Sequence, residues 1–298
     1  MEVNIFQVDA FSSRPFGGNP TIVVLDSRNI DGKDMQKIAN EMNTMQTTFV
    51  DQLADDVVKV RFFSRLCEMD LCGHGTIATF YTMANKGYIR PIEDGIKKIT
   101  LDTNIGKLNI ELNYRFGEVD YIVMEQGKPK SYGIIENIEE VLQAMNLEKS
   151  QIGIDNLYYE PEIISTGAKN LLLPINDKSV LENIDIDFCS LKEVSEKLKI
   201  RSVHAFYLPK KNSEEVYARN FSPIVGINEE PATGTASGAL IYYLKKNKLI
   251  SSDRITSLQG ESMNRPSKIY CFIEEDEDEY KVKVGGDAVI VMEGILKY

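Results

Sequence analysis

The chain has 298 residues, of which 43% are hydrophobic and 27% charged, a balance typical of globular proteins and a length sufficient for two domains. Its formal net charge of -11 at pH 7 argues against nucleic acid or an anionic membrane surface as a partner, because the long-range field of the protein would repel both. The sequence shows no signal peptide and no apolar run long enough to span a bilayer, so we expect a cytoplasmic protein.

Cysteine and histidine usage argues against disulfides and bound metals. The four cysteines lack the spacing of a disulfide framework, so we expect reduced thiols. Cys67, Cys72 and His74 could ligate zinc, but the sequence signals no fourth ligand. A Gly-x-Gly-x-x-Gly motif after a strand is absent, as is a Gly-Lys-Ser/Thr loop. We therefore expect neither a metal nor another cofactor.

The first half of the chain is predicted to be rich in strands around one or two helices. Residues spaced three and four apart predict an early helix and a later one, and Gly87 can end the later helix in the left-handed conformation. Asn104-Ile105-Gly106 predicts a hairpin turn. The predicted strands are residues 3–8, 21–25, 47–51, 57–64, 99–103 and 107–112, and the helical residues are Met35, Ile38, Ala39, Met42, then Ile77, Phe80, Tyr81 and Ala84.

The second half opens in a similar order, after a change of composition near residues 114–118. The predicted strands are residues 121–125, 163–167 and 171–175, and the predicted helices are residues 138–145, 191–198 and 235–246. We therefore predict an N-terminal lobe of residues 1–117 and a C-terminal lobe of residues 118–287. Residues 288–298 are a candidate strand that returns to the first lobe.

A short pattern occurs once in each half. Residues 61–64, Arg-Phe-Phe-Ser, precede the Cys-Gly-His-Gly start of one helix, and residues 219–222, Arg-Asn-Phe-Ser, precede the Thr-Gly-Thr-Ala start of another. The shared Arg-x-Phe-Ser element indicates an internal duplication.

Each helix start should attract an acceptor, because the first N-H groups of a helix have no partner inside it. A small carboxylate held between two such starts is the ligand this arrangement predicts. The alternative for either motif alone is an ordinary capped helix in a core. The predicted architecture is α+β, with two similar lobes, each a curved mixed or antiparallel sheet around a central helix, and a cleft between them.

Several segments together resemble the phenazine biosynthesis-like (PhzF) family, whose lobes have the diaminopimelate-epimerase fold. They occur in family order from residue 8 to about residue 294. The segments are residues 8–11, Val-Asp-Ala-Phe; 18–20, Gly-Asn-Pro; 39–43, Ala-Asn-Glu-Met-Asn; 70–76, Asp-Leu-Cys-Gly-His-Gly-Thr; 229–236, Glu-Glu-Pro-Ala-Thr-Gly-Thr-Ala; 259–260, Gln-Gly; 265–267, Arg-Pro-Ser; and 285–286, Gly-Gly.

The resemblance implies a homodimeric isomerase that moves a proton within a small cyclic carboxylate, trans-2,3-dihydro-3-hydroxyanthranilate in the phenazine pathway, without a cofactor. The family's key acid/base is a Glu after the first helix, and Gln46 occupies that position here. An amide cannot take and return a proton near neutral pH as a carboxylate can. The family's Asp before Pro is Glu230, and the Ser of its Thr-Gly-Ser element is Thr235.

Besides Gln46, three residues are candidates to move the proton. Cys72 corresponds to a thiol base in related epimerases, and the helix start after it should lower its pKa, although a small buried packing residue is an equally simple interpretation. His74 could shuttle a proton. Glu230 could inherit the base role, although the adjacent helix start should lower its pKa and suits a capping acid.

Other residues are predicted to bind the substrate, and His204 is predicted to be structural. The predicted substrate-binding residues are Gly18, Asn19, Gly73, Gly75, Thr233, Gly234 and Thr235. Two further functions stay open. One is a Cys72-based epimerase or dehydratase of an amino or imino acid, and the other is a small-molecule binding protein whose catalysis is impaired by Gln46.

Overall fold

A computed structural model describes residues 2–54, 56–135, 137–155, 157–276 and 279–298. The chain divides into two compact units, one of residues 1–125 with 285–298 and the other of residues 126–284. No helix among these described residues is long and apolar enough to cross a membrane.

In its described residues the first unit is sheet-rich with two α-helices. Its elements are β1 (Glu2–Ala10), β2 (Asn19–Val24), α1 (Gly32–Met42), β3 (Thr47–Ala54), β4 (Val57–Phe63), β5 (Glu68–Met69), α2 (Gly73–Asn85), β6 (Gly95–Thr103), β7 (Gly106–Arg115) and β8 (Glu118–Glu125).

The second unit has a similar mixture of elements. They are β9 (Lys130–Ile134), α3 (Glu139–Ala144), β10 (Glu162–Ser165), β11 (Lys169–Pro174), α4 (Lys178–Glu182), α5 (Phe188–Leu198), β12 (Ser202–Tyr207), β13 (Glu215–Ser222), β14 (Ile227–Glu230), α6 (Gly234–Lys246), β15 (Arg254–Gln259), β16 (Ser267–Asp276) and β17 (Glu279–Gly286). The last strand, β18 (Ala288–Lys297), belongs to the first unit.

The sheet of the first unit is mixed. β18 pairs antiparallel with β1, β1 pairs antiparallel with β2, and β2 runs parallel to β3. β3 pairs antiparallel with β4, which in turn carries the short antiparallel β5 and the parallel β6. β6, β7 and β8 continue as an antiparallel meander.

Helix α2 lies inside the curve of this sheet. It packs against β1, β2, β3, β8 and β18, strands that come from both ends of the sheet. Only a sheet that wraps around the helix can bring all of them to it. The residues that predicted the helix, Ile77 and Phe80, are fully buried, and Gly87 after it has a positive φ of 78° as expected. Helix α1 covers the outer face through Met35 and Ile38.

The second unit repeats the pairing pattern of the first. β10 is antiparallel to β11, β11 is parallel to β12, and β12 is antiparallel to β13. β13 then carries the short antiparallel β14 and the parallel β15, and β15 pairs antiparallel with β16. Helix α6 is almost entirely buried against this sheet. This agreement supports the predicted duplication.

The predicted boundaries of the two lobes differ from the boundaries of the two compact units. The predicted boundary at residues 117 and 118 falls instead at residues 125 and 126, because β8 pairs with β7 along most of its length and so stays with the first unit. On the C-terminal side the boundary lies at residue 285 instead of 288. The predicted α+β class and the hairpin at residues 104–106 are confirmed, and β18 pairs antiparallel with β1.

Truncation of the buried face of α2 should destabilise the first unit. Ile77 is 0% exposed, so Ile77→Ala should lower the free energy of unfolding by about 2–5 kcal/mol through lost burial and a cavity. Urea unfolding followed by circular dichroism measures this. Glu41→Ala, on the exposed face of α1, should change it by less than about 0.5 kcal/mol. Equal effects of the two changes would contradict the placement of α2.

Candidate functional site

The predicted site residues of the first unit lie where several strands of its sheet begin or end. Ala10 at the end of β1 pairs with Asn19 at the start of β2 and with Ala288 at the start of β18. The parallel β3 begins just after Gln46, and α2 begins at Gly73. Strand ends that meet at one edge, next to a helix start, place polar side chains and backbone N-H groups close together.

The first turn of α2 carries a sulfur-imidazole-amide cluster. The Cys72 Sγ accepts a hydrogen bond from the backbone N-H of Gly75 at 3.4 Å, so the cysteine caps the helix. The same Sγ lies 3.3 Å from Nδ1 of His74, and the amide Nδ2 of Asn19 lies 3.4 Å from that nitrogen. Cys72 is buried and His74 is partly exposed. The thiol and the imidazole are therefore close enough to exchange a proton.

Two glycines let the backbone pack tightly around this cluster. Gly18 has a φ of 60°, and a Cβ there would lie 2.2 Å from the carbonyl oxygen of Ala10, so no other residue fits. A Cβ on Gly75 would lie 2.8 Å from Cγ2 of Thr48 and 3.3 Å from Phe62. Gly73 is different, because a Cβ there would meet only the Met124 sulfur at 3.9 Å. Of the two predicted substrate-binding glycines in α2, close packing therefore requires a glycine at Gly75 but not at Gly73.

The side chain of Gln46 is buried, and its surroundings suit an uncharged amide. Its side chain is directed to Met69 on β5, with 3.0 Å between the amide Nε2 and the sulfur. Its backbone oxygen accepts hydrogen bonds from the N-H of Ile22 and from the hydroxyls of Thr21 and Thr44. A thioether is a weak acceptor, so this surrounding suits an uncharged side chain.

The second unit forms its own cluster at the start of α6. The Thr233 hydroxyl donates to the Glu230 carboxylate at 2.7 Å. The Gln259 side chain completes the cluster, because its amide donates to the backbone oxygen of Glu230 at 2.6 Å and its oxygen accepts from the Thr233 N-H at 3.2 Å. The Thr233 side chain therefore does not cap the helix, and the N-H groups of Gly234 and Thr235 have no partner inside it.

The pKa of Glu230 departs from the expectation that the adjacent helix start would lower it. Burial raises the pKa above the usual 4.5, and the Thr233 hydrogen bond and the positive charge of Arg201 oppose this only in part. Loss of hydration costs the carboxylate more than these partners return. The prediction of a lowered pKa was therefore wrong, and Glu230 favours its protonated form more than an exposed glutamate does.

His204 lies in the core of the second unit, as the structural assignment requires. It is 0% exposed on β12, with 3.1 Å between its Nδ1 and the side-chain oxygen of Asn220. Burial lowers its pKa to about 4, so the imidazole stays neutral at physiological pH.

The described contacts join the predicted residues in two sets. Asn19, Cys72 and His74 form one set in the first unit, and Glu230 and Thr233 form the other in the second. Sequence reasoning missed Met69 as the partner of Gln46. Gln259 belongs to the Gln-Gly segment of the family resemblance, but the sequence does not indicate that its side chain bonds Glu230 and Thr233 at the start of α6. Among the described residues, no group of three or more His, Cys, Asp or Glu side chains could hold a metal ion.

Comparison with known proteins identifies the relatives of this chain. Residues 8–294 match the model of the phenazine biosynthesis-like proteins. The chain belongs to the PhzF family. An uncharacterized isomerase of Clostridium acetobutylicum is 32% identical over 306 residues, which cover 98% of this chain and 97% of that protein. The family predicted from the sequence motifs is thereby confirmed.

Solved structures share the fold. The crystal structure of a PhzF-family phenazine biosynthesis protein of Bacillus anthracis has a TM-score of 0.88 at 26% identity and covers 100% of both chains. A hydroxyproline epimerase of Agrobacterium vitis, with bound trans-4-OH-L-proline, has a TM-score of 0.62 at 11% identity, over 99% of this chain and 92% of that one, and shows the fold alone. The chain thus has the fold of the PhzF-family proteins.

The packing around Gly75 predicts that a single methyl group there is costly. Gly75→Ala should lower the free energy of unfolding by about 1–3 kcal/mol, because the new Cβ overlaps buried Thr48. Thr48 cannot easily move, since it is hydrogen-bonded to Thr79 at 3.0 Å. Gly73→Ala, two residues earlier, should leave stability unchanged or slightly higher. Urea unfolding of both variants checks this, and equal losses would contradict it.

The raised pKa of Glu230 predicts a distinct dependence of stability on pH. The unfolded chain releases this proton near pH 4.5 but the folded chain holds it to higher pH, so stability falls as pH rises through that window. Glu230→Gln removes this loss, so the variant should gain stability relative to the parent as pH rises from about 4.5 towards about 8. Unfolding free energies measured across that range test it.

Glu68→Gln is a control with the opposite sign. The hydrogen bond from Arg61 lowers the pKa of Glu68, so its contribution is present above about pH 4.5 and is lost as pH falls. The deficit of this variant should therefore be constant at neutral pH and shrink in acid. A Glu230→Gln difference that stays flat between about pH 4.5 and 8 would refute the raised pKa.

Proposed function

We propose that this protein is a cofactor-independent isomerase or epimerase that moves a proton within a small carboxylate. The observation that carries the proposal is the buried carboxyl group of Glu230, which has a raised pKa and is hydrogen-bonded to Thr233 next to the first turn of α6, a turn without a side-chain cap. A carboxyl group with a raised pKa is a stronger base when ionised, and it can return the proton when protonated. Family membership supports the reaction class.

The proposed chemistry uses Glu230 as the group that takes and returns the proton. The ionised carboxylate removes a proton from a carbon next to the substrate carboxylate, and the electron pair moves into the substrate to form an enolate. Backbone N-H groups of Gly234 and Thr235 are suitable donors to that developing charge. Protonated Glu230 then returns the proton at a different position, or another group delivers it to the opposite face.

Gln46 supports this assignment because it cannot serve as the base. It occupies the position where the resemblance places the family's acid/base Glu, and its amide is bound to the sulfur of Met69. A carboxylate placed there would be buried against a thioether, which stabilises charge poorly. We propose that Gln46 orients the substrate or the neighbouring strand and leaves proton transfer to other groups.

A second candidate function has its own observation. The 3.3 Å separation of the Cys72 thiol and the His74 imidazole is a nucleophile-base geometry. It favours an epimerase or dehydratase in which the Cys72 thiolate removes the proton and the imidazole holds the proton of the thiol. A five-membered cyclic amino acid is a reasonable substrate for that reading, since the fold-related hydroxyproline epimerase binds one.

Deuterium exchange in heavy water tests both proposals. Small carboxylates, including cyclic dienes with an amino group and five-membered amino acids, are incubated with the parent protein, and exchange at carbon is followed by NMR. If Glu230 moves the proton, Glu230→Gln should reduce exchange by about 100-fold or more, whereas Cys72→Ser should retain most of it. The reverse ranking would assign the reaction to the thiol.

Gln46→Glu separates a catalyst from a binding protein. If the pocket is intact and only the base is absent, the parent shows no exchange and Gln46→Glu restores it. Binding without exchange in both proteins would leave a binding function and overturn the proposed isomerase. Gln46→Asn, which shortens the side chain but stays neutral, is the matched control.

A further inference from the structure

The repeated Arg-x-Phe element makes the same two contacts in each unit. Arg61 forms a two-point ion pair with Glu68, with both N-O distances 2.8 Å, and lies over the ring of Phe63 at 5.1 Å. In the second unit Arg219 forms the same pair with Glu229, both distances 2.9 Å, and lies over Phe221 at 4.9 Å. Two-point geometry fixes orientation as well as distance.

Each glutamate lies on a very short strand just before the buried helix. Glu68 belongs to β5, which has two residues, and Glu229 belongs to β14, which has four. Both glutamates stand four residues before the residue that precedes the helix, Cys72 or Thr233. A strand this short forms few ladder hydrogen bonds, and these hold it in register only weakly. The pairing of β14 with β13 also contains a shift in register.

The residue after each glutamate points to the opposite face of the strand, because successive side chains alternate. In the first unit this residue is Met69, which contacts the Gln46 amide. In the second unit it is Glu230, which lies opposite Asn220 and accepts from the Thr233 hydroxyl. A slip by one residue would therefore turn the Glu230 carboxyl away from the start of α6.

The pair in the second unit is well placed to prevent such a slip. The side chains of Arg219 and Glu229 are 13% and 14% exposed, so solvent screens their attraction weakly. The remaining terminal nitrogen of Arg219 donates to the backbone oxygens of Leu181 and Glu182, the last residues of α4, and of Ile184 just beyond it. The guanidinium thus ties β14 to both β13 and the end of α4.

We propose that Arg219 and Glu229 are positioning residues that hold β14 in register and so keep the Glu230 side chain at the start of α6. Arg61 and Glu68 do the same for Met69 and thereby for Gln46. The importance of this for catalysis rests on the proposed function of Glu230. The positioning itself does not, and it can be measured without a substrate.

The test is a set of double-mutant cycles that combine a substitution at residue 219 or residue 229 with Glu230→Gln. The groups that face Glu230 are the Arg201 charge, the Thr233 hydroxyl, the Gln259 amide and Asn220, and all of them are kept in every variant. Glu230→Gln is made in the parent, in Arg219→Lys and in Glu229→Gln. Arg219→Lys keeps the positive charge but loses the two-point fork and the carbonyl contacts.

Unfolding free energies are then measured from about pH 4.5 to about pH 8. In the parent, Glu230→Gln should gain stability as pH rises. In the Arg219→Lys and Glu229→Gln backgrounds, at least half of this pH-dependent gain should disappear, because Glu230 is no longer held in its buried place. A purely structural ion pair would lower stability at every pH and leave the gain intact, and that result would overturn the proposal.

Two further variants keep the outcome decisive. Arg61→Lys in the first unit is the matched control and should leave the Glu230 signal unchanged. If the single variants unfold, the milder Glu229→Asp, which keeps the negative charge but withdraws it by one methylene, takes their place and should also reduce the signal; an unchanged signal in a folded Glu229→Asp variant would again count against the proposal. Failure to find proton exchange would refute the proposed function but not this cycle.

If a substrate shows deuterium exchange, enzyme kinetics provide a second test besides the unfolding free energies. Arg219→Lys should lower kcat more than it raises KM and should shift the pH profile of kcat, because it misplaces the acid/base group while leaving the N-H groups of α6 in place. An equal loss in every variant with an unchanged pH profile would contradict a positioning role.

Discussion

Each unit is built around a buried helix whose first turn must find hydrogen-bond acceptors outside the helix. A helix leaves its first N-H groups without internal partners, and burial makes an unsatisfied group costly. The sheet wraps around α2 in the first unit, so this helix start lies among strand ends and not in open solvent. Acceptors must therefore come from neighbouring side chains or from a ligand, and the residues at these positions decide what the helix start can do.

The two units meet this constraint with different chemistry. In α2 the Cys72 sulfur accepts from Gly75, so the cap is filled by the chain itself. In α6 the Thr233 hydroxyl is used by Glu230 instead, and the first N-H groups lack a side-chain cap. The second helix start is thus the better anion site, while the first carries the thiol and the imidazole.

Much of the fold could be predicted from periodicity and from repetition. Ile77 and Phe80 marked a buried helix face, and the repeated Arg-x-Phe-Ser segments marked equivalent places in the two sheets. What escaped prediction depends on contacts between distant residues. Strands β5 and β14 are too short to show a period, and the boundary after β8 is set by its pairing with β7. The direction of the Glu230 pKa was missed because burial, which sequence proximity to a helix start does not reveal, outweighs the helix.

The residue that follows the paired glutamate differs between the two units. This difference is a physical reason for an amide at residue 46, where the resemblance to the family expects a carboxylate. In the first unit the residue after the paired glutamate is Met69, whose sulfur lies 3.0 Å from the Gln46 amide, so a charge at residue 46 would have a thioether beside it. In the second unit the corresponding pair is Glu230 and Asn220. A buried carboxyl group is less costly beside polar partners than beside a thioether. The polar partners of Glu230 are the reason why we propose this carboxyl group, and not residue 46, for the proton transfer.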